Sequence, residues 1–512
     1  MPFGRIPEYV LIMTITEPTG TRTAATFDSL DPRTGAVVAT HPIASEADVQ
    51  AAVERARKAA TWWSGLSFAD RKTRLNAWKS LITNRIDELA AVMQAETGKP
   101  QGDAMLECAL AIDHLAWAAG HAKKVLGRHK VPSGLVMANQ KATVEYAPLG
   151  VIGVIGPWNY PVFTPMGSIA YALAAGNAVV FKPSEYTPGV GAWLEKTANE
   201  VFEQPVFQVV TGLGETGAAL CRSGVNKVAF TGSTATGKRV MAACSESLTP
   251  VLIEAGGKDA LIVDVDADIE AAVDGAVWGA NANAGQTCAG VERVYVHEKV
   301  YDEFLEQVVA RTKEVHANND ADAKIGPITM PSQLNIIKRH IDDALASGGK
   351  AVLGGPESVG DRFVQPVILV DVPETSAAVT EETFGPTMTV TKVKSMDEAV
   401  ALTNASKYAL GSSVFSKRNG MQIAEKLRVG MTAINGVITF AGVPSLPFGG
   451  VGDSGFGRIH GPDGLKEFTY AHAITRQRMK PLIALTTFQR TEKAEEQLGK
   501  MIAMLHGRGG KK

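Results

Sequence analysis

Between Val151 and Val240, short runs rich in β-branched residues alternate with helix-length segments, and no other feature restricts the fold of this chain so strongly. The runs are Val151 to Ile155, Ala178 to Phe181, Val206 to Val210 and Lys227 to Phe230. Strands separated by crossover-length helices point to a parallel sheet, because a hairpin cannot join parallel neighbours. The expectation is an α/β, doubly wound, Rossmann-like domain with a nucleotide-sized crevice at the carboxyl ends of its strands. A second α/β block is expected from Val251, with strands near Val251 to Ile253, Leu261 to Val263 and Arg293 to Val296. Its helices are read at Ile269 to Asn281, Val300 to Val315 and Leu334 to Ala346. Upstream, Ala44 to Ala122 carries helical spacing, as in Val49, Val53 and Ala56, and again in Leu81, Ile82, Leu89 and Val92. Val131 to Pro148 and Phe468 to Arg478 fit neither block and read as edge strands available to a neighbouring subunit.

A chain of 512 residues suggests about three domains. With 51 basic and 53 acidic residues the net charge is −2, so nothing global draws the protein to nucleic acid or acidic lipid. Cys108, Cys221, Cys244 and Cys288 are too few and too scattered for a disulfide framework or a CxxC metal site, and they fit a reducing, cytoplasmic setting. The histidines form no HxxxH or HExxH pattern, with His114 and His121 sharing a helix face at most, so no metal site is expected. The absence of a GxSxG elbow disfavours a serine hydrolase. The apolar run from Ile169 to Phe181 is interrupted by Gly176 and Asn177 and falls short of the roughly 18 to 20 residues of a spanning helix. Arg5 and the run from Tyr9 to Ile15 are too brief for a signal sequence, and Met13 serves equally well as a start. Near the other end, Leu498, Met501, Ile502 and Leu505 predict a short amphipathic helix ahead of the basic, glycine-rich stretch from His506 to Lys512. Packing on the subunit or a neighbour, a gate over the substrate, and peripheral membrane contact are its open roles.

Two glycine-rich loops compete for a phosphate. Gly212-Leu213-Gly214-Glu215-Thr216-Gly217 is formally GxGxxG, but no acidic residue follows about 20 positions on to take a ribose hydroxyl. The loop from Gly232 to Lys238 is one residue short of a P-loop, with Arg239 where a magnesium-binding Ser or Thr belongs. What survives there is a helix N-terminus whose free amides, with the Ser233 hydroxyl, can meet a pyrophosphate. Cys288 closes the small-residue loop Asn283-Ala284-Gly285-Gln286-Thr287-Cys288 and reads either as a buried small hydrophobe or as a nucleophile. In the second case amides or a cation must lower its thiol pKa from about 8.5. Glu254 leaves a strand beside two glycines, either solvated or, paired with a cysteine, a general base with a raised pKa. Asn159, between Pro157 and Pro161, is either a turn residue or an oxyanion donor.

Taken together, Pro157-Trp158-Asn159, Lys182-Pro183-Ser184-Glu185, Phe230-Thr231-Gly232-Ser233, Glu254-Ala255-Gly256-Gly257-Lys258, Gly285-Gln286-Thr287-Cys288 and Glu381-Glu382-Thr383-Phe384-Gly385-Pro386 resemble the aldehyde dehydrogenase superfamily, in the right order. The resemblance runs from about Phe27 to Arg478 and takes in Pro447-Phe448-Gly449-Gly450 through Gly455. It implies Cys288 as nucleophile, Glu254 as base for deacylation, and Asn159 with the Cys288 backbone N–H as the oxyanion hole. It also implies cofactor contacts at Trp158, Lys182, Glu185, Gly214, Gly232, Ser233, Glu382 and Phe384. Among these, Lys182 and Glu185 hold the adenosine ribose, Ser233 touches the pyrophosphate, Glu382 holds the nicotinamide ribose and Phe384 packs near the nicotinamide. Residues 212–217 then become a strand–helix turn near the adenine. The implied activity is oxidation of an aldehyde to an acid through a thiohemiacetal and a thioester. NAD is favoured, because Glu185 suits a free ribose 2′-hydroxyl, with NADP possible.

The implied organisation is a helical lead-in at 1–130, oligomerisation strands at 131–149, the NAD-binding domain at 150–253 and the catalytic domain at 254–447. A return to the cofactor domain at 448–471, an oligomerisation strand at 472–488 and the tail at 489–512 complete it, with a homodimer or homotetramer expected. Three departures matter. Ala255 replaces the usual Leu after the glutamate, and Met166-Gly167-Ser168 stands where many members carry Trp-Lys, which removes any proton relay through that lysine. The stretch from Ile438 to Pro444 and Ile459-His460-Gly461 resemble the branch acting on fatty and aromatic aldehydes, which implies an apolar acyl pocket. A semialdehyde remains the alternative substrate, with Arg293 either serving its anionic end or structural. A catalytically silent relative is expected to lose Cys288 or Glu254, and both are present. Glu254 also argues for water over phosphate or coenzyme A as acyl acceptor.

Overall fold

The computed structural model describes residues 25–320, 323–481, 483 and 486–507. The sequence readings at Arg5, Tyr9 to Ile15, Met13 and 508–512 lie outside them.

The first alternating block forms a six-stranded sheet in the order Gly455–Phe456, Val251–Ala255, Lys227–Gly232, Val151–Ile155, Ala178–Lys182 and Phe207–Val209. Five strands are parallel, and the two-residue Gly455–Phe456 pairs antiparallel with the end of Val251–Ala255. The helix Phe163–Ala175 is apolar almost throughout and nearly all of it is buried, as expected of a helix packed on several sides. The 26-residue helix Gln101–Leu126 runs along it. The Gly/Asn pair at 176 and 177 that interrupts the apolar run is the helix stop: Gly176 takes a left-handed φ of 104°.

The second block forms a seven-stranded sheet in the order Lys350–Leu353, Val367–Val370, Thr387–Val393, Val291–His297, Asp259–Val263, Ser412–Phe415 and Ala433–Ile434. Only Lys350–Leu353 runs antiparallel to its neighbour. The expectation that this block begins at Val251 is corrected. Val251–Ala255 pairs with Lys227–Gly232 in the first sheet, and the chain changes sheets at Gly256-Gly257.

The two stretches that fitted neither block pair with each other. Thr469–Gln477 lies antiparallel to Gln140–Pro148 along nine residue pairs, with His129–Val131 on the other edge of the same small sheet. The last strand thus starts before 472 and ends well before 488. Glu492–His506 is helical as the spacing predicts, capped by Thr491, but no residue in it is buried. Leu498 and Met501 are half-buried, whereas Ile502 and Leu505 are exposed. No described helix is long and apolar enough to cross a membrane.

Candidate active site

Strand order places the switch point of the first sheet between Val151–Ile155 and Lys227–Gly232, since the chain winds first to one side and then returns to the other. The carboxyl ends of these two strands lead into Trp158-Asn159 and into Gly232-Ser233. Ser233 caps the helix Thr234–Ser245, its Oγ accepting from Thr236 N at 3.3 Å. Lys182 ends the next strand, nearly buried, with Nζ 3.4 Å from the Glu185 carboxylate, whose side chain is 41% exposed. Burial lowers the Lys182 pKa, and Glu185 opposes that. Gly214 begins the helix Gly214–Arg222 with open space where a side chain would stand.

From the second block, Phe384 (φ 54°) meets Trp158 edge-on at 5.5 Å between ring centres. Glu382 Oε1 accepts from Gly257 N at 3.0 Å, and a Cβ on Gly256 would fall 2.2 Å from Glu382 Oε2, so a side chain there would displace that carboxylate. The donor set fits a dinucleotide. A helix N-terminus offers amides to a pyrophosphate, carboxylates at Glu185 and Glu382 offer acceptors to ribose hydroxyls, and the two rings wall the crevice.

Cys288 follows a loop in which Asn283, Ala284 and Gly285 all take positive φ, 53°, 56° and 71°. Each non-glycine residue held there costs about 1 kcal/mol, so the surroundings must impose the conformation. They do: Asn283 Nδ2 donates to the Asn159 carbonyl at 3.0 Å, and Gln286 Nε2 donates to the Asn283 carbonyl at 2.8 Å. A Cβ on Gly285 would lie 2.1 Å from the Gly385 carbonyl, which explains the glycine before Gln286-Thr287-Cys288. Asn159, 5% exposed, donates from Nδ2 to the Gln286 carbonyl at 2.9 Å and so keeps one amide hydrogen in reserve. The Cys288 backbone N–H has no acceptor among the described residues.

Glu254 is 2% exposed, and neither carboxyl oxygen finds a hydrogen-bond partner among the described residues. Burial pushes its pKa up to about 8, with the neighbouring Cys288 thiol and Thr231 hydroxyl pulling it back. Burial likewise raises Glu382 to about 8 and Asp259 to about 7. The thiol of Cys288 is raised well above its ordinary value by burial and by the charges of Glu254, Glu382 and Asp259. Burial and these three carboxyl charges act against the lowering by amides or a cation that fast attack at neutral pH calls for. Near neutrality both the thiol and Glu254 are predominantly protonated, so attack needs a proton acceptor at hand.

Arg293 takes the structural one of its two readings. It is 3% exposed and donates to the Lys258 carbonyl at 2.8 Å, joining strand to loop inside the second block. Lys258 pairs with Glu292, which accepts from Thr383 N and Phe384 N at 2.8 and 3.0 Å and thereby sets the turn presenting Glu382. Cys108, Cys221 and Cys244 are buried in helices.

One side of Cys288 opens into a cavity whose apolar walls include Leu106, Leu110, Phe163, Ile438, Phe448 and Ile459, with Tyr160, Thr164 and Thr287 among its polar lining. None of the described residues lining it is lysine or arginine, and the acidic members are Asp103 and Glu107. Sequence reasoning missed the helical wall. Asp103, Leu106, Glu107 and Leu110 share the spacing of one helix face, which marks that face without saying what it borders. Met166, Gly167 and Ser168 are buried in Phe163–Ala175, and no lysine stands there.

A doubly wound sheet with a donor set that fits a dinucleotide, followed along the chain by a buried glutamate and a loop cysteine, fits one class, and comparison agrees. Residues 19–474 match the Aldehyde dehydrogenase family, and the chain belongs to it; it is an oxidoreductase acting on aldehydes. It is similar to 4,4′-diapolycopene aldehyde oxidase of Methylomonas sp, 36% identical over 450 residues that cover 87% of this chain and 84% of that protein. Glutarate-semialdehyde dehydrogenase of Pseudomonas aeruginosa is 35% identical over 446 residues, 86% of this chain and 91% of that protein. The crystal structure of an NAD-dependent aldehyde dehydrogenase from Sinorhizobium meliloti superposes with a TM-score of 0.86 at 33% identity, covering 92% of this chain and 95% of that one.

Proposed function

We propose that the protein oxidises an apolar aliphatic or aromatic aldehyde to its carboxylic acid with NAD, through covalent chemistry at Cys288. The observation that carries this reading is the cavity ending at the thiol, apolar on its walls and without a cation. The Cys288 thiol gives up its proton to solvent water and the thiolate attacks the carbonyl carbon. The free amide hydrogen of Asn159 and the Cys288 N–H then receive the developing oxyanion of the thiohemiacetal. Hydride acceptance is the chemistry a bound dinucleotide supplies, in the crevice of Trp158, Lys182, Glu185, Gly214, Gly232, Ser233, Glu382 and Phe384. Oxidation leaves a thioester on Cys288, and Glu254 deprotonates the water that hydrolyses it.

The names of relatives raise a second reading, a semialdehyde. A carboxylate entering the cavity would lose water and meet Asp103 with no cation in the lining to compensate. Specificity constants for hexanal and benzaldehyde are therefore expected to exceed those for succinate and glutarate semialdehydes by about tenfold or more, the scale of one uncompensated charge. The reverse order in a steady-state panel overturns the apolar assignment.

Glu185 beside Lys182 supports NAD over NADP, because a 2′-phosphate would meet the carboxylate. Glu185→Gln is expected to raise the NADP to NAD ratio of kcat/KM by about tenfold, the worth of one charge pair at a partly solvated site. An unchanged ratio removes Glu185 from cofactor selection. We also place the protein in the cytoplasm, as a homodimer or homotetramer joined through the small sheet, whose strand Thr469–Gln477 is mostly exposed in the single chain.

A further inference from the structure

Lys99 and Glu107 form an ion pair, Nζ to Oε2 2.6 Å, with side chains 1% and 0% exposed. A buried pair of this kind is often no more stabilising than apolar residues of the same volume, so what else it touches is informative. Lys99 Nζ also donates to the Asn159 backbone carbonyl at 2.9 Å and lies 4.6 Å from the centre of the Tyr160 ring. Glu107 Oε1 accepts from Val162 N at 2.8 Å and from Phe163 N at 3.1 Å. The helix Phe163–Ala175 has no side-chain cap of its own, so a carboxylate 55 positions earlier in the chain satisfies its entry amides. The pair thus grips both ends of the segment from Asn159 to Phe163, leaving the Asn159 amide to be aimed by its bond to Gln286.

We infer that Lys99 and Glu107 are positioning residues for Asn159, setting the place of its side-chain amide in the acylation step. The inference rests on Asn159 being the oxyanion donor proposed above. An oxyanion donor is effective only where the charge develops: losing one costs about 10²–10³-fold, and a displacement of about 1 Å can cost about 10²-fold. A merely structural ion pair would instead lower thermal stability and slow every step alike.

The test is a double-mutant cycle on the full chain with hexanal and NAD. Lys99→Met/Glu107→Gln is made in the wild type and in Asn159→Ala, and the pre-steady-state rate of NADH formation per folded site is measured beside Cys288 alkylation by iodoacetamide. In the wild-type background the pair is expected to slow the burst about 10- to 100-fold, with alkylation changed less than about twofold. In Asn159→Ala the same pair is expected to cost less than about threefold, because the donor it aims is gone. Equal losses in both backgrounds, or no loss in either, overturn the positioning role while leaving the Asn159 assignment standing. An unchanged burst in Asn159→Ala alone overturns that assignment and the inference with it. Should the double substitution fail to fold, Glu107→Gln, which keeps an acceptor for Val162 and Phe163, carries the same cycle.

Discussion

Cys288→Ala is expected to abolish aldehyde oxidation, with kcat/KM falling on the order of 10⁴-fold or more, while the protein still folds and binds NAD. The size of the loss follows from covalent catalysis: without sulfur neither thiohemiacetal nor thioester forms, and the remaining groups have no intermediate to stabilise. Folding should survive because alanine removes a single sulfur atom, and the loop is held by bonds from Asn159, Asn283 and Gln286 that do not involve it. NAD binding should survive because the crevice residues lie on other segments. Three measurements separate the cases: steady-state turnover, NAD affinity by fluorescence, and intact mass after mixing with aldehyde and NAD, where only the wild type carries an acyl adduct. Acid formed at the wild-type rate by the alanine variant removes the covalent mechanism altogether.

How much of this was legible in the sequence depends on how local each feature is. Asn159, Glu254 and Cys288 each sit in a short motif at a strand end or loop; Asn159 bonds the loop that leads to Cys288, and of the three only Cys288 lines the cavity. The strands from Val151 to Gly232 were legible because their alternation is a local pattern. Where two α/β blocks abut, nothing local marks the change of sheet, so alternation alone starts the second block at Val251, while the family resemblance keeps residues up to 253 with the first. The direction of the Cys288 pKa was hidden for a different reason: it is set by Glu254, Asp259 and Glu382, and the last of these arrives from a turn oriented by Glu292. Lys99 and Glu107 gave no signal at all. A charged pair eight residues apart in helical text reads as a solvated face, and only the fold shows it buried against the Asn159 loop.

Glu254→Gln is expected to separate the two halves of the reaction. Turnover should fall about 10²–10⁴-fold, the range for loss of a positioned general base, while a first equivalent of NADH still forms and the acyl enzyme accumulates. In the wild type, the hydrolytic step needs the ionised carboxyl, and burial places its pKa at about 8. Only about a tenth is ionised at pH 7 by that value, so turnover should rise from pH 6 through 8 and level off above, and this rise should be missing in the glutamine variant. Stability runs the other way. A carboxyl raised from 4.5 to about 8 keeps in the folded state a proton that the unfolded chain has already released, so its contribution is full below about 4.5 and is lost as pH rises through 8. Glutamine removes that share of the slope, leaving those of Asp259 and Glu382, which burial raises in the same direction. Activity and stability therefore change oppositely over one pH interval in the wild type, and one substitution acts on both. A turnover rise through pH 8 that persists in Glu254→Gln moves the base to Asp259 or Glu382, the other carboxyls whose charges bear on the Cys288 thiol.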